Sequence, residues 1–282
     1  MFQNNHTSLI RLVACVLVLS SLPLAESKGA DASATAPAVP KAPPVAFKFK
    51  TKDGLYQFTV DTKGISPEIA AWAREELPPL LTEWYPKIVK FLPSKGFNAP
   101  KNVSVIFDNR DDTKGWATAG RDYIRCMIKS FSRMEPAGRN SAIIHELVHV
   151  VQGYPKTSPR GYPGWLEEGI ADYVKYYLYG DREHRIGPTA NYNGSYMYTA
   201  NFLHWVARTY DKDIVPKLNA ACRQNNYSDS LWKKYTGHTV EELNAEWKVF
   251  LANPKQATFK YSDEDLRAAV LQQAQASPEK AK

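Results

Sequence analysis

The densest chemistry in the chain lies in His145-Glu146-Leu147-Val148-His149. Residues at i and i+4 share one face of an α-helix, so both imidazoles can grip a single ion. Glu146 sits about 100° further round, close enough to reach a water at that ion without being a ligand. A catalytic zinc takes three protein ligands and keeps a fourth position open. The next acidic run is Trp165-Leu166-Glu167-Glu168-Gly169-Ile170-Ala171-Asp172-Tyr173. Glu167 and Glu168 are adjacent, so only one of them faces a given site. Glu168 and Asp172 share a face, and Glu168 lies opposite the apolar side formed by Leu166, Ile170 and Tyr173. This reading makes His145, His149 and Glu168 the metal ligands and Asp172 the group that orients a ligating imidazole. Glu167 is left as a solvated surface charge. The bland alternatives are two hydrogen-bonded core histidines and an ordinary helix ion pair at Asp172. A metzincin pattern fails, because Pro155 and Gln152 stand where it needs a third ligand and a glycine.

These residues need elements to hold them. The stretch around the first motif (Ile143, Ile144, Leu147, Val148, Val150, Val151) is apolar almost all round, which marks a buried helix. Buried imidazoles and a buried carboxylate are costly unless paired or metal-bound. Gly153 and Pro155 end that helix. Gly169 and Ala171 suit a second helix that approaches the first closely. The pattern predicts helices over 66–91 (bent at Pro78-Pro79), 137–152, 164–179, 195–210, 213–224 and 239–252. It predicts strands at Leu55–Val60, Val103–Phe107 and Tyr123–Ile128. No internal repeat is present.

The chain has 282 residues, 44% of them hydrophobic, enough for one real core. Its net charge of +7 favours acidic partners and surfaces and is not by itself a nucleic-acid signature; no nucleic-acid partner is expected. Arg11 precedes an apolar run, Leu12–Leu24, too short for a comfortable membrane span and read as the core of a signal peptide, residues 1–25. The run lies after Cys15 rather than before it, which argues against a lipoprotein cleavage box. Cleavage after Ala25 removes one charge, Arg11, so +7 becomes +6, and leaves two cysteines, Cys126 and Cys222. These either pair in an oxidising compartment or serve as small buried hydrophobes. A Pro/Ala-rich flexible leader at 26–46, a domain at 47–260 and a charged, partly disordered tail at 261–282 complete the organisation. The mature protein is expected to be secreted or periplasmic, with no stable membrane insertion.

The segments His145–Tyr154 and Gly164–Val174 resemble the basic secretory protein family of plants and bacteria. The likeness continues through Ser195–Leu203, Tyr227–Asp229 and Gly237–Leu243. It covers about 100–252. The resemblance implies a zincin-like α+β fold, with a small mixed sheet over an active-site helix and a helical C-terminal half. It implies zinc-dependent peptide hydrolysis with Glu146 as general base. It also puts Tyr196 in the site as oxyanion stabiliser, with Tyr198, two residues along, left open for the same role. Ser195 stands where many members carry glycine. In such folds an edge strand pairs with extended substrate, and Trp116–Ile128 is the candidate. The expected partners are a peptide or protein substrate and acidic cell-envelope polymers. Two other readings remain: a non-enzymatic envelope-binding protein with a structural zinc, and a zinc amidase acting on glycopeptides. His184, His204 and His238 lack ligand spacing and read as surface or core residues.

Overall fold

Alternation of apolar and polar residues builds the sheet. β1 (Ala46–Lys50), β2 (Gln57–Asp61), β3 (Asn102–Asp108), β4 (Ala117–Ala119) and β5 (Tyr123–Met127) form one five-stranded sheet in the order β1-β2-β3-β5-β4. Phe58 and Val60 on β2, Val103 and Val105 on β3, and Ile124 and Cys126 on β5 are buried at period two. The outer pairs β1/β2 and β4/β5 are antiparallel, and the inner pairs β2/β3 and β3/β5 are parallel. The computed structural model describes residues 45–109, 115–156, 161–181, 185–256 and 258–268. The stretch expected to be a signal peptide (1–25), nearly all of the expected leader (26–46), His184 and the far end of the expected tail lie outside the described residues.

The parallel step from β2 to β3 is made by α1 (Pro67–Phe91). Ser66 caps it by accepting a hydrogen bond from the Ile69 amide at 3.3 Å, and Pro67 occupies the first turn, where no amide is needed. The helix runs through Pro78, Pro79 and Pro86 as one element. Its buried stripe includes Ile69, Trp72, Leu77, Leu81, Tyr85 and Ile88. α2 (Ile128–Phe131) is a single turn after β5.

α3 (Pro136–Gln152) carries the first motif and packs against α1, β4 and β5. Ile143, Ile144, Leu147, Val148, Val150 and Val151 are fully buried, as a helix apolar on nearly every side requires. Gly153 closes it at φ 53°, a backbone that favours glycine. α4 (Gly164–Tyr173) carries the second motif and passes directly into a π-helical segment, Val174–Tyr179. Then follow α5 (Tyr196–Thr209), α6 (Ile214–Arg223), α7 (Ser230–Thr236) and α8 (Val240–Ala252). A reciprocal cap between Thr239 and Glu242 starts α8.

Several expectations shift. β1 and β4 are edge strands that the pattern did not mark, and α7 was not expected. Within 116–128 only β4 lies at the sheet edge, since β5 is paired on both sides. The described fold begins with β1 at Ala46, and near its far end Leu266 is buried and Arg267 donates to the Tyr177 carbonyl at 2.9 Å. Gly169 makes a close approach, but to α5 rather than α3, because a Cβ there would run into the Thr199 side chain. Cys126 and Cys222 are both buried and unpaired, so the small-hydrophobe alternative holds. No helix of the described residues is long and apolar enough to cross a membrane.

Candidate metal centre

α3 and α4 bring His145, His149 and Glu168 together at the floor of an open cleft of about 2060 Å³. His145 Nε2 lies 3.2 Å and His149 Nε2 3.3 Å from Glu168 Oε2, and the two Nε2 atoms are 3.0 Å apart. Each Nδ1 is already engaged. Asp172 Oδ1 sits 2.8 Å from His145 Nδ1, and Gln152 Oε1 sits 2.6 Å from His149 Nδ1. Both partners are acceptors, so each Nδ1 carries a hydrogen, and whenever the ring is neutral, as a metal ligand must be, its Nε2 presents a lone pair. Two lone pairs and a carboxylate oxygen converging within 4.8 Å form a donor set that fits a zinc ion. Of the adjacent glutamates, Glu168 is the one in this cluster. Glu167 is half-buried on the cleft wall rather than a fully solvated charge.

The electrostatics of the cluster favour added positive charge. Burial alone lowers the His145 pKa, but hydrogen bonds to Asp172 and Glu168 outweigh it and raise the pKa to about 9. His149 moves the same way, its burial outweighed first by the Glu168 hydrogen bond. For Glu168 burial is likewise overcome, here by hydrogen bonds to both histidines, and its pKa falls below the usual carboxylate range. Glu146 differs. It is buried, lines the cleft, and burial raises its pKa despite the pull of His149 and His145. A raised carboxylate pKa makes a better proton acceptor near neutral pH.

Tyr196 lines the cleft, and its ring stacks on His145 with centroids 6.0 Å apart and planes 19° apart. It is 53% exposed. Tyr198 is not among the described residues that line the cleft and packs beside Gly194. Tyr192 turns into the core, edge-on to Trp165 at 5.1 Å. The turn that presents Tyr196 is strained: Ser195 has φ 66° and ψ 171°, and Tyr196 has φ 45°. The buried Thr199 braces it, accepting from the Ser195 amide at 3.1 Å and donating to the Tyr192 carbonyl at 2.6 Å.

His204 and His238 stand apart from the cluster. His204 stacks on Tyr177 at 3.8 Å and faces Asp263 at 3.1 Å, and His238 faces Glu246 at 3.4 Å. Three supporting residues were not foreseen. Gln152 holds His149. Lys175 lies 3.5 Å from Asp172 Oδ1. Arg223 donates to the carbonyls that end α3, Val151 at 2.7 Å and Gln152 at 2.8 Å. Gln152 and Lys175 carried a local signal, each three residues after its partner, His149 and Asp172, and therefore on its face; Arg223 carried none.

The class of protein these features define is a mixed α+β chain with a His-His-Glu donor set on two packed helices at an open cleft. Residues 99–247 match the model of a family described as peptidase of plants and bacteria, the basic secretory proteins, and the chain belongs to that family. Comparisons with curated proteins and with solved structures returned no match.

Proposed function

We propose that this chain is an exported zinc metallopeptidase of zincin-like fold, acting on peptide or protein substrates. The observation that carries the reading is the convergence of His145 Nε2, His149 Nε2 and Glu168 Oε2, with both Nδ1 atoms tied off. A zinc ion held there would supply Lewis-acid polarisation of the scissile carbonyl and acidify a water. Three protein donors beside an open cleft suit a catalytic site, since a closed structural site takes four.

The chain's own groups do the rest. Glu146 takes a proton from the attacking water and hands it to the departing amine. The Tyr196 hydroxyl, a phenol whose pKa burial and then Glu168 move still further above neutral, donates to the developing oxyanion. One such donor is commonly worth about 10²–10³ in rate. Asp172 holds the His145 ring and its tautomer. β4 ends the sheet among the described residues and lines the cleft with Ala117, Thr118 and Ala119, so its outer edge offers amides and carbonyls to an extended substrate. Export rests on the signal-peptide pattern of residues 1–25, and contact with acidic envelope polymers on the net positive charge.

Glu146→Gln tests the reading. The amide keeps the side chain's size and removes the base, while all three donors stay in place. The variant is expected to hold stoichiometric zinc by elemental analysis and to cleave a peptide library at least about 10²-fold more slowly. Full activity in this variant would remove Glu146 from the mechanism, and tight zinc binding with no cleavage by the wild type would favour a structural ion.

A further inference from the structure

The two imidazoles of the centre are held by different chemistry. His145 Nδ1 meets a carboxylate, Asp172, which Lys175 also approaches. His149 Nδ1 meets a neutral amide, Gln152, on its own helix. Gln152 is 1% exposed, and burying a primary amide is costly unless both ends are paired. Both are. Its Nε2 donates to the backbone carbonyl of Glu167 at 2.9 Å, and its Oε1 faces His149 Nδ1 at 2.6 Å. The first bond fixes the second. A flipped amide would set its oxygen against the Glu167 carbonyl oxygen, acceptor against acceptor. With the oxygen therefore turned to His149, the neutral imidazole carries its hydrogen on Nδ1 and leaves Nε2 bare.

The same amide reaches across helices. Glu167 is the residue before Glu168, so the bond to its carbonyl pins the turn of α4 that carries the carboxylate donor. The backbone carbonyl of Gln152 is held in turn by Arg223 Nε at 2.8 Å, which stops the end of α3 from fraying away from this position.

We propose that Gln152 is a positioning residue for the metal centre: it sets the His149 tautomer and ties the Glu168-bearing turn of α4 to α3. The inference rests on the zinc reading above and deepens it. The ion's third donor is thereby registered against its second by one side chain.

Zinc affinity, measured on the purified chain by competition with a chromophoric chelator, tests it with no substrate involved. Gln152→Met keeps the volume and removes both hydrogen bonds. Zinc binding should weaken by about 10–100-fold, the range typical for losing a partner of a metal-bound imidazole. Gln152→Glu keeps an acceptor for His149 Nδ1 but loses the donor to the Glu167 carbonyl, so its zinc affinity should fall between those of wild type and Gln152→Met. The melting temperature of the zinc-free forms is read alongside, because a merely structural residue would lower it in Gln152→Met and leave zinc affinity alone. That pattern overturns the proposal, as does a Gln152→Glu variant that loses as much affinity as Gln152→Met. A second measurement needs no variant. Long-range ¹H–¹⁵N spectra of the zinc-loaded wild type should show His149 protonated at Nδ1 and metal-shifted at Nε2, and the reverse assignment overturns the proposal. A wild type that takes up no zinc brings down the zinc reading and this inference together; a wild type that binds zinc with unchanged Gln152→Met affinity brings down this inference alone.

Discussion

Arg223 offers the sharpest test of how the centre is supported. It is buried, yet burial only pulls its pKa down to about 10, so the guanidinium stays charged at neutral pH. It donates to Leu92 O at 2.9 Å, Ser94 Oγ at 2.7 Å, Val151 O at 2.7 Å and Gln152 O at 2.8 Å, and lies 3.7 Å over the Phe97 ring. One side chain thus ties α6 to the carbonyl ends of both α1 and α3. Arg223→Met retains most of the stem packing and strands three buried carbonyls. Each unsatisfied buried group costs about 1–3 kcal/mol. Part of this is offset, because the wild type bears the cost of desolvating the charge. The net loss should be about 3–5 kcal/mol, the range found when a buried charged partner is removed. For a domain of this size that lowers the melting temperature by roughly 6–20 °C. Thermal and urea melts of the zinc-free protein read it, with the exposed Arg133→Met as control. A loss no larger than the control's would refute the claim that Arg223 holds the two helix ends.

Ser195→Gly should stabilise the protein by about 1 kcal/mol, since relief of a disfavoured backbone outweighs the entropy of glycine; a lower melting temperature would show that the turn is not strained. Gly169→Ala places a methyl against Thr199 and should cost about 1–3 kcal/mol in a urea melt, with a neutral result arguing against the close approach of α4 and α5. Cys126 and Cys222 should resist thiol reagents at pH 8 until the fold is opened, because burial raises both thiols. Burial lifts the Cys222 pKa from 9.0 to about 12, so its contribution is intact below pH 9.0 and is lost as pH rises toward 12. Cys222→Ala should flatten that part of the stability–pH curve, and an unchanged slope would contradict the shift.

What was legible in the sequence follows from local geometry. A period of 3.6 residues puts His145 and His149 on one face, and the same rule sets Glu168 with Asp172. The unbroken apolar surround of α3 announces its burial, and Pro136 and Gly153 mark its ends within a residue. These signals act over a few residues, so they survive without knowledge of the rest of the chain. The short edge strands β1 and β4 carry too few buried positions to stand out, and β1 adjoins a Pro/Ala-rich stretch that masks it. Choices that depend on distant neighbours belonged to the tertiary structure. Periodicity shows that Gly169 permits a close approach, but only packing decides that the partner is Thr199 on α5, 30 residues further along. No pattern near Arg223 hints that it meets carbonyls 71 and 131 positions away. Between Tyr196 and Tyr198 the sequence is indifferent, because both stand in the first turn of the same apolar helix. Two consecutive residues at positive φ, Ser195 and Tyr196, turn the Tyr196 ring onto His145, and that backbone is held by Thr199 and by α4 packed behind it, not by anything Ser195 or Tyr196 prefers alone.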